Sequence, residues 1–523
     1  MNTANFLSIP ATVFPDQEIM IFDGARFTYG QSLTRVRRLA AALAALGIKR
    51  GDAVAALDTN SHRYVEAYYA AATLGAVFVP INYRAKIPEL RHMLRAAGAS
   101  TALVGARYAE TLAGLLPELP ALRHVIGMDA APPGDGPTVE DLIAGAAAER
   151  EESEIEEHDT TILMYTSGTT ALPKGVMLTH HDFTTYVCGT VELADGTPRG
   201  TALVCVPLYH IAGATAVMTT LFAGRKIVLM PQFEATAWLR LVEKERVTHA
   251  FLVPTMVKQL LDAPDFARRD LSSLQSLSYG GAAMPLPVVR RAIAMFPPTV
   301  GFVNAFGQTE TTSTLTVLGP EDHRLTGSAA ETETKLRRLG SIGRPLPDVE
   351  LRVVGEDGTE LVRGEVGEIV VRTPRVMKGY AGDAAASGVD AGGWLHTRDM
   401  GWIDDAGYVF LAGRKDDMII RGGENIAPAE VEATLQLHPA VEEAAVVGIP
   451  DVEWGQRVAA AVALRPGARV TAEELGEFCR ARLASFKKPE VVRFFSALPK
   501  NPMGKILRRE IRAALGDEVA RRA

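Results

Sequence analysis

The sequence predicts an α/β protein that carries a small antiparallel β unit and ends in a compact α+β unit. Three observations predict this. Helical and strand patterns alternate as far as about residue 340, strict two-residue alternation with glycine turns runs through 349–372, and mixed helix and strand patterns return from about 415. The chain has 523 residues, and at about 150 residues per domain that length fits roughly three compact units.

The elements follow in order. Residues 34–47 place Val36, Leu39, Leu43 and Leu46 at helical spacing, 52–58 reads as a short strand, 63–74 as a helix and 76–81 as a strand. This alternation implies a parallel sheet with helices on both faces. Residues 149–159 are acidic and read as a solvated connector with room for a short helix. Strands are expected at ILMYT, TALVCVPL, KIVLMP and HAFLVP, then in the antiparallel unit at 349–372 and 407–414. The last unit has helices at AEVEATLQLH and AEELGEFCRARLA and strands at VEEAAVVGIP and RVAAAVAL.

Composition narrows the function. The chain is 47% hydrophobic and 22% charged, with net charge -7, which argues against disorder and against a chain-wide nucleic-acid footprint. Cys188, Cys205 and Cys479 form no CxxC and read as small buried apolar residues, and the histidines show no metal spacing. The start lacks a secretory pattern, and the cytoplasm is the expected location. Residues 200–224 carry no Asp, Glu, Lys or Arg, but Pro207, His210 and Gly213 interrupt them, so a buried strand, loop and helix are expected rather than a transmembrane segment. Residues 480–512 hold ten basic residues against Glu490 and Glu510, either a solvated face or a lip that meets phosphates.

Five strings carry chemistry. YTSGTTALPKGV, Tyr165 to Val176, follows an apolar strand. Its small residues let backbone amides approach a polyphosphate, and Lys174 adds a point charge; the bland reading is a turn. Asn304-Ala-Phe-Gly-Gln-Thr-Glu310 offers an aromatic face and a carboxylate suited to Mg²⁺, or else a strand followed by an N-capped helix. Trp394 to Gly401 places Asp399 in a turn, where one carboxylate could take two ribose hydroxyls. Gly413 to Ile426 fits a hinge or a surface hairpin, and Leu498 to Arg509 is a basic loop or a solvated tail.

In this order and spacing the five strings resemble the adenylate-forming superfamily of acyl-CoA synthetases, nonribosomal adenylation domains and firefly-luciferase-like enzymes, over about residues 15–515. The resemblance implies a large N-terminal domain of two packed α/β subdomains plus a small β-barrel (1–413), and a small mobile α+β C-terminal lid (414–523). It implies an ATP-dependent carboxylic acid:CoA ligase that forms acyl-AMP and pyrophosphate, then acyl-CoA and AMP. ATP, Mg²⁺ and CoA are the small molecules implied besides the acid. The acid expected is a medium- or long-chain fatty acid, or an alicyclic or aromatic one. The alternative is a stand-alone adenylating enzyme that loads a carrier protein, and a nucleotide-binding protein without catalysis is a third reading. No nucleic-acid partner is expected, and a homodimer is the oligomer considered.

Carried over by motif, Thr166, Ser167, Gly168, Thr169, Thr170 and Lys174 would hold the β- and γ-phosphates, with Thr170 and Glu310 near Mg²⁺. Gly281, Ala282 and Phe306 would border the adenine, Asn304 its amino edge, and Thr309 the α-phosphate. Asp399 would bind the ribose, assisted by Arg414, and Lys505 would bridge the acid and the α-phosphate. Asp416 would be the hinge, and Arg421, Gly422 and Gly423 would line the path of CoA. His210, Ala212, Gly213, Tyr279 and Gly280 would gate or line the acyl pocket, where several small residues suggest room. The chain departs from the usual pattern at Ala171 (usually Gly), Phe306 (Tyr), Asp416 (Lys) and Arg421 (Ser).

Overall fold

In the computed structural model, which describes residues 1–166, 172–382, 387–500 and 506–522, the N-terminal part is built on two large sheets. The nine-stranded sheet runs Arg344–Pro345, Ser313–Leu318, Gly301–Gln308, Ser276–Gly280, His249–Leu252, Thr201–Val204, Lys226–Leu229, Glu18–Phe22, Ala25–Thr28. Its six central strands are parallel, and antiparallel pairs close both edges. The seven-stranded sheet runs Gly379–Tyr380, Lys174–Thr179, Thr160–Thr166, Val77–Pro80, Ala53–Leu57, Thr101–Val104, His124–Gly127.

Apolar patterning stacks these sheets in layers. One core lies between them, where helices Tyr29–Ala45, His62–Leu74, His180–Thr190 and Ile211–Phe222 fill the gap. A helix covered by sheet on both sides must be apolar nearly all round, and His62–Leu74 is buried at almost every position. Its one buried carboxylate, Glu66, is met by Arg35 from Nε at 2.7 Å and Nη2 at 3.0 Å, as a buried charge requires. A second core covers the outer face of the nine-stranded sheet under Ala235–Glu245, Pro254–Leu261 and Leu286–Met295, and a third lies outside the seven-stranded sheet under Ile87–Ala96 and Ala106–Leu115.

The uncharged run 200–224 is a strand, a loop and a helix of this middle layer. Among the described residues no helix is long and apolar enough to cross a membrane. The acidic connector contains no helix. Glu152 accepts hydrogen bonds from Asn5 Nδ2 (2.8 Å) and Ser8 Oγ (2.6 Å) and so anchors helix Asn5–Val13, while Glu151 pairs with Arg37 at 2.7 Å. Glu156 and Asp159 pair with Arg50 at 2.9 and 2.7 Å, so most of these charges are spent on donors of the body. Cys205 and Cys479 are buried as expected, but Cys188 is exposed, because it falls on the outward side of helix His180–Thr190.

The period-two segment folds into an antiparallel four-stranded sheet, Glu350–Val354, Gly367–Arg372, Leu395–Ile403 and Val409–Arg414. Its inward residues Val353, Ile369, Val371 and Val409 pack with Leu315 and Ile342, which docks it on the end of the nine-stranded sheet. The C-terminal unit has a hairpin, Ile419–Arg421 with Glu424–Ile426, and a three-stranded sheet of Val441–Asp451, Gly455–Leu464 and Val491–Phe495. Alternation again decides its faces: Ala444 and Val446 pack under helices Pro428–Gln436 and Ala472–Arg480, whereas Ala445 and Val447 face Ile511 and Leu515. Leu43 is fully buried in the middle layer, so Leu43→Ala is expected to destabilise by about 2–5 kcal/mol, measured as a fall in the urea midpoint at unchanged slope.

Candidate functional site

The site residues gather at the carboxyl ends of parallel strands, where open α/β sheets expose unpaired backbone and leave a crevice. Ser276–Gly280 and Gly301–Gln308 run side by side with Tyr279 opposite Asn304 and Gly280 opposite Ala305. Gly281 and Ala282 turn away at the end of the first strand. Asn304 donates from Nδ2 to Ser341 O at 3.2 Å, and Phe306 is half-buried against the core of the four-stranded sheet. Beyond Gln308 the chain makes a single 3-10 turn, Thr309–Thr311, and returns as an antiparallel strand. The longer N-capped helix considered for this string does not form.

Asp399 lies within strand Leu395–Ile403, not in a turn. Leu395, Thr397 and Asp399 alternate inward while His396 and Arg398 face outward, and cross-strand pairing with Arg414 fixes the register. Both carboxylate oxygens of Asp399 are held: Gln308 Nε2 donates to Oδ2 at 2.6 Å, and Arg414 Nε lies 2.8 Å from Oδ1. The same two side chains also donate to Thr397 O, at 3.1 Å each. A carboxylate oxygen gripped once keeps acceptor capacity for further hydroxyl donors.

Across the strand ends, Glu310 Oε1 accepts a hydrogen bond from Tyr380 Oη at 3.0 Å. Burial first, then the neighbouring Glu310, pushes the Tyr380 phenol well above its ordinary range, so it stays a donor. Tyr380 pairs with Val176 on the strand that begins at Lys174, and the Lys174 ammonium lies 5.2 Å from the Tyr380 ring centroid. Thr166 and Lys174 are register partners that close the base of the Ser/Thr/Gly loop. Lys174, Tyr380 and Glu310 therefore form one wall and Gln308, Asp399 and Arg414 the next, a mix of cation, carboxylate and donors that can receive a nucleotide with its counter-cation. Ser167, Gly168, Thr169, Thr170, Ala171 and Lys505 lie outside the described residues.

The residues assigned to an acyl pocket divide. His210 caps helix Ile211–Phe222, and its buried Nε2 has no partner among the described residues. Its loop is held by Asn60, whose amide donates to Val206 O (2.9 Å) and Met230 O (3.1 Å) and accepts from Leu208 N (2.9 Å). Ala212 lies in the helix's first turn. A side chain at Gly213 would meet Pro207 O at 2.3 Å, and one at Gly280 would meet Ala305 O at 2.1 Å. These two glycines are thus demanded by close backbone approach, whatever room they leave. Tyr279 does not line a pocket with its side chain, because strand alternation turns it into the second core, where its hydroxyl meets His323 Nε2 at 2.8 Å.

At the expected hinge, Lys415–Asp417 is one 3-10 turn followed by the hairpin. Asp416 pairs with Arg398 at 2.5 Å and Lys415 with Glu368 at 2.9 Å, both on the four-stranded sheet, whereas Asp417 faces Arg508 and Arg512 of the C-terminal unit at 3.6 Å each. Arg421 is engaged by Glu490 and stacked over Trp454, so in this arrangement its charge is not presented to a phosphate. Gly422 turns at φ 57° against the Trp454 ring, and Gly423 faces open space. Much of the basic stretch is likewise paired internally, Lys487 with Glu430, Lys500 with Glu443 and Arg508 with Glu432.

Two positions the motif reading passed over are Gln308 and Tyr380. Gln308 sits inside a quoted string, but only sheet packing reveals its hold on Asp399. Tyr380 is seventy residues from Glu310 in sequence, and no local spacing points to it.

Comparison with known proteins gives concordant results. A family model described as AMP-binding enzyme matches residues 8–381, and one described as AMP-binding enzyme C-terminal domain matches 430–505. The chain is 38% identical over 512 residues to a feruloyl-CoA synthase of Amycolatopsis sp, covering 97% of each. It is 34% identical over 520 residues to a fatty acid–[acyl-carrier-protein] ligase of Streptomyces coeruleorubidus, covering 97% of this chain and 95% of that one. Among solved structures, an anthranilate CoA ligase in complex with anthranoyl-AMP superposes with a TM-score of 0.88 at 27% identity, covering 99% and 98% of the two chains.

Burial pushes the imidazoles of His180, His210 and His249 down to about 4. An unfolded histidine titrates near ~6.5, so between these values the unfolded chain binds more protons than the folded one. The contribution of these rings is therefore full above the upper value and is lost as pH falls through this window, offset in part by Asp58, whose carboxyl burial pushes up to about 6. Urea unfolding followed from neutral pH to about 5 should show that decline, to which His323, also pushed down by burial, adds, with a shallower slope in His210→Phe, which removes one of these rings.

Proposed function

The chain belongs to the AMP-binding enzymes, and on that premise we propose that it is an ATP-dependent carboxylic acid:CoA ligase, an AMP-forming acid–thiol ligase. The observation that carries the proposal is the pair of walls at the strand ends: Asp399 held by Gln308 and Arg414, facing the Glu310–Tyr380–Lys174 group. In the first half-reaction a carboxylate oxygen of the acid bonds to the α-phosphorus of ATP, and the bond from that phosphorus to pyrophosphate breaks. In the second, the sulfur of CoA bonds to the acyl carbon, AMP leaves with the former carboxylate oxygen, and the thiol proton passes to solvent.

The chain's part is positioning and charge neutralisation. Asp399 accepts the ribose hydroxyls while Gln308 and Arg414 fix its orientation. Gly281, Ala282, Asn304 and Phe306 border the base, and Thr309 meets the α-phosphate. Thr166, Ser167, Gly168, Thr169, Thr170 and Lys174 wrap the terminal phosphates, and Lys505 bridges acid and α-phosphate. Among the described residues no cluster of three or more His, Cys, Asp or Glu forms a protein-only metal site. A lone carboxylate instead suits Mg²⁺, which keeps most of its shell as water and phosphate oxygen; Glu310 and Thr170 would hold it. When bound, Mg²⁺ offsets phosphate charge.

We place the nucleotide-binding domain at 1–413 and a mobile lid at 414–523, with Asp416 as hinge and Gly422 and Gly423 beside the thiol path. Lys415 and Asp416 tie the link to the four-stranded sheet, and Asp417 ties it to the C-terminal unit. Support for free CoA as acceptor comes from the feruloyl-CoA synthase similarity over nearly the full length of both chains. The acid is proposed to be aromatic, alicyclic or a medium- to long-chain fatty acid, and the cytoplasm, which supplies ATP and CoA, is the proposed location. Loading of a carrier protein is the second reading, favoured by the similarity to a ligase of that kind.

Pyrophosphate release over a panel of carboxylic acids, with and without CoA, separates these readings. The proposal predicts CoA-dependent turnover with thioester and AMP as products, and a loss of about 10²–10³ in adenylation rate for Lys505→Ala. Release that stops near one turnover and ignores CoA would transfer the assignment to the carrier-protein reading.

A further inference from the structure

Glu310 stands two residues before an unusual piece of backbone. Thr312 and Ser313, neither of them glycine, lie consecutively in the left-handed region at φ 48° and 84°. Such backbone costs energy and persists only where its surroundings over-determine it. Here one buried side chain clamps both flanks, beside the local bond from Thr311 Oγ1 to Ser313 O at 3.3 Å. Arg375 is 1% exposed and reaches in from the segment that leads to Gly379–Tyr380. Its Nη1 donates to Thr311 O and its Nη2 to Thr314 O, both at 2.7 Å, the carbonyls on either side of the left-handed pair.

The remaining edge of the fork is satisfied too. Nε donates to Asp348 Oδ2 at 2.7 Å and Nη2 to Asp348 Oδ1 at 3.3 Å, and the guanidinium lies 5.2 Å from the Tyr186 ring centroid. The buried cation is thus paired, and four of its five N–H groups are hydrogen-bonded, the condition under which such burial is tolerated. The same segment holds Glu310 from both ends, since Met377 N donates to Glu310 O at 2.8 Å and Tyr380 Oη donates to Glu310 Oε1. A planar fork can span two carbonyls and a carboxylate at once; a lysine ammonium is a point charge and cannot.

We propose that Arg375 is a positioning residue for adenylation: by pinning the strained 311–314 turn it aims Glu310 at the terminal phosphates. This rests on the role proposed above for Glu310. Arg375 touches no reacting atom. Its effect belongs to the first half-reaction alone, because thiolysis of a finished acyl-adenylate no longer involves the terminal phosphates.

Arg375→Lys, Arg375→Met, Glu310→Gln and the double variant Arg375→Lys/Glu310→Gln test this. The readouts are acid-dependent ATP–pyrophosphate exchange, thiolysis of preformed acyl-adenylate by CoA, calorimetric affinity for ATP with and without Mg²⁺, and thermal unfolding. Expected for Arg375→Lys, which keeps the charge beside Asp348 and so keeps the fold even where Arg375→Met does not, is a fall of about 10–100-fold in exchange kcat, the size of effect an ångström-scale misplacement produces. Thiolysis should be unchanged, the gain in ATP affinity on adding Mg²⁺ should shrink as in Glu310→Gln, and the double variant should be no worse than Glu310→Gln alone. The proposal is overturned if both half-reactions fall together in step with the folded fraction, or if the two single losses multiply in the double variant. Should Glu310→Gln itself leave exchange and the Mg²⁺-dependent gain intact, the reading of Glu310 fails and the role of Arg375 falls with it; loss of both in Glu310→Gln with neither changed in Arg375→Lys would overturn the role of Arg375 alone.

Discussion

One side-chain amide joins the two parts of the molecule that make the site. Gln308, at the last position of a parallel strand, donates to the carboxylate of Asp399 on the four-stranded sheet and to the neighbouring Thr397 carbonyl. Without that tie Asp399 would lose the donor that fixes one of its oxygens across the crevice. With it, the nine-stranded sheet supplies Asn304, Phe306 and the Thr309–Thr311 turn, while the antiparallel sheet supplies Asp399 and Arg414 in one register. The Asp399 side chain is 8% exposed, yet each oxygen is bonded, so its burial is compensated and its direction fixed. The apolar seam of Leu315, Ile342, Ile369 and Val409 holds the two sheets near enough for a single amide to span them.

The rest of the fold serves that edge. Two sheets with helices between and outside them bury long uncharged runs without exposing backbone, which gives the strand ends a rigid base. The link to the C-terminal unit is built differently. Arg398–Asp416 and Lys415–Glu368 tie it to the body through partly exposed ion pairs, a class worth only about 0–1 kcal/mol each. Within the C-terminal unit, Arg508 is held by Glu432 and by Val446 O at 2.7 Å beside a compact core. Lys258 adds a further ion pair to Glu442 of that unit at 2.7 Å, so the lid movement proposed above would exchange these surface pairs rather than disturb a core.

Local physics made much of this legible in the sequence. Helical spacing at Val36, Leu39 and Leu43 and two-residue alternation at 349–372 specify elements directly, because burial on one face enforces each period. The motif strings could be read because their residues are contiguous. What escaped was whatever depends on packing between distant segments. Asp399 looks like a turn residue until its strand pairs with Arg414. Tyr279 looks like a pocket residue until the parity of its strand turns it toward His323. Tyr380, Asn60 and Arg375 act across long loops, so no spacing announces them. Gly213 and Gly280 were legible as small residues, but their reason, a carbonyl within reach of any Cβ, exists only in three dimensions.

Adenylation in this crevice requires a carboxylate oxygen of the acid to attack the α-phosphorus of ATP. Turnover of an acid labelled with ¹⁸O in both carboxylate oxygens, with mass analysis of the nucleotide product, tests that bond directly. The expected products are AMP carrying one ¹⁸O from the acid and a thioester retaining the other. Unlabelled AMP, or label delivered to inorganic phosphate beside ADP, would contradict it.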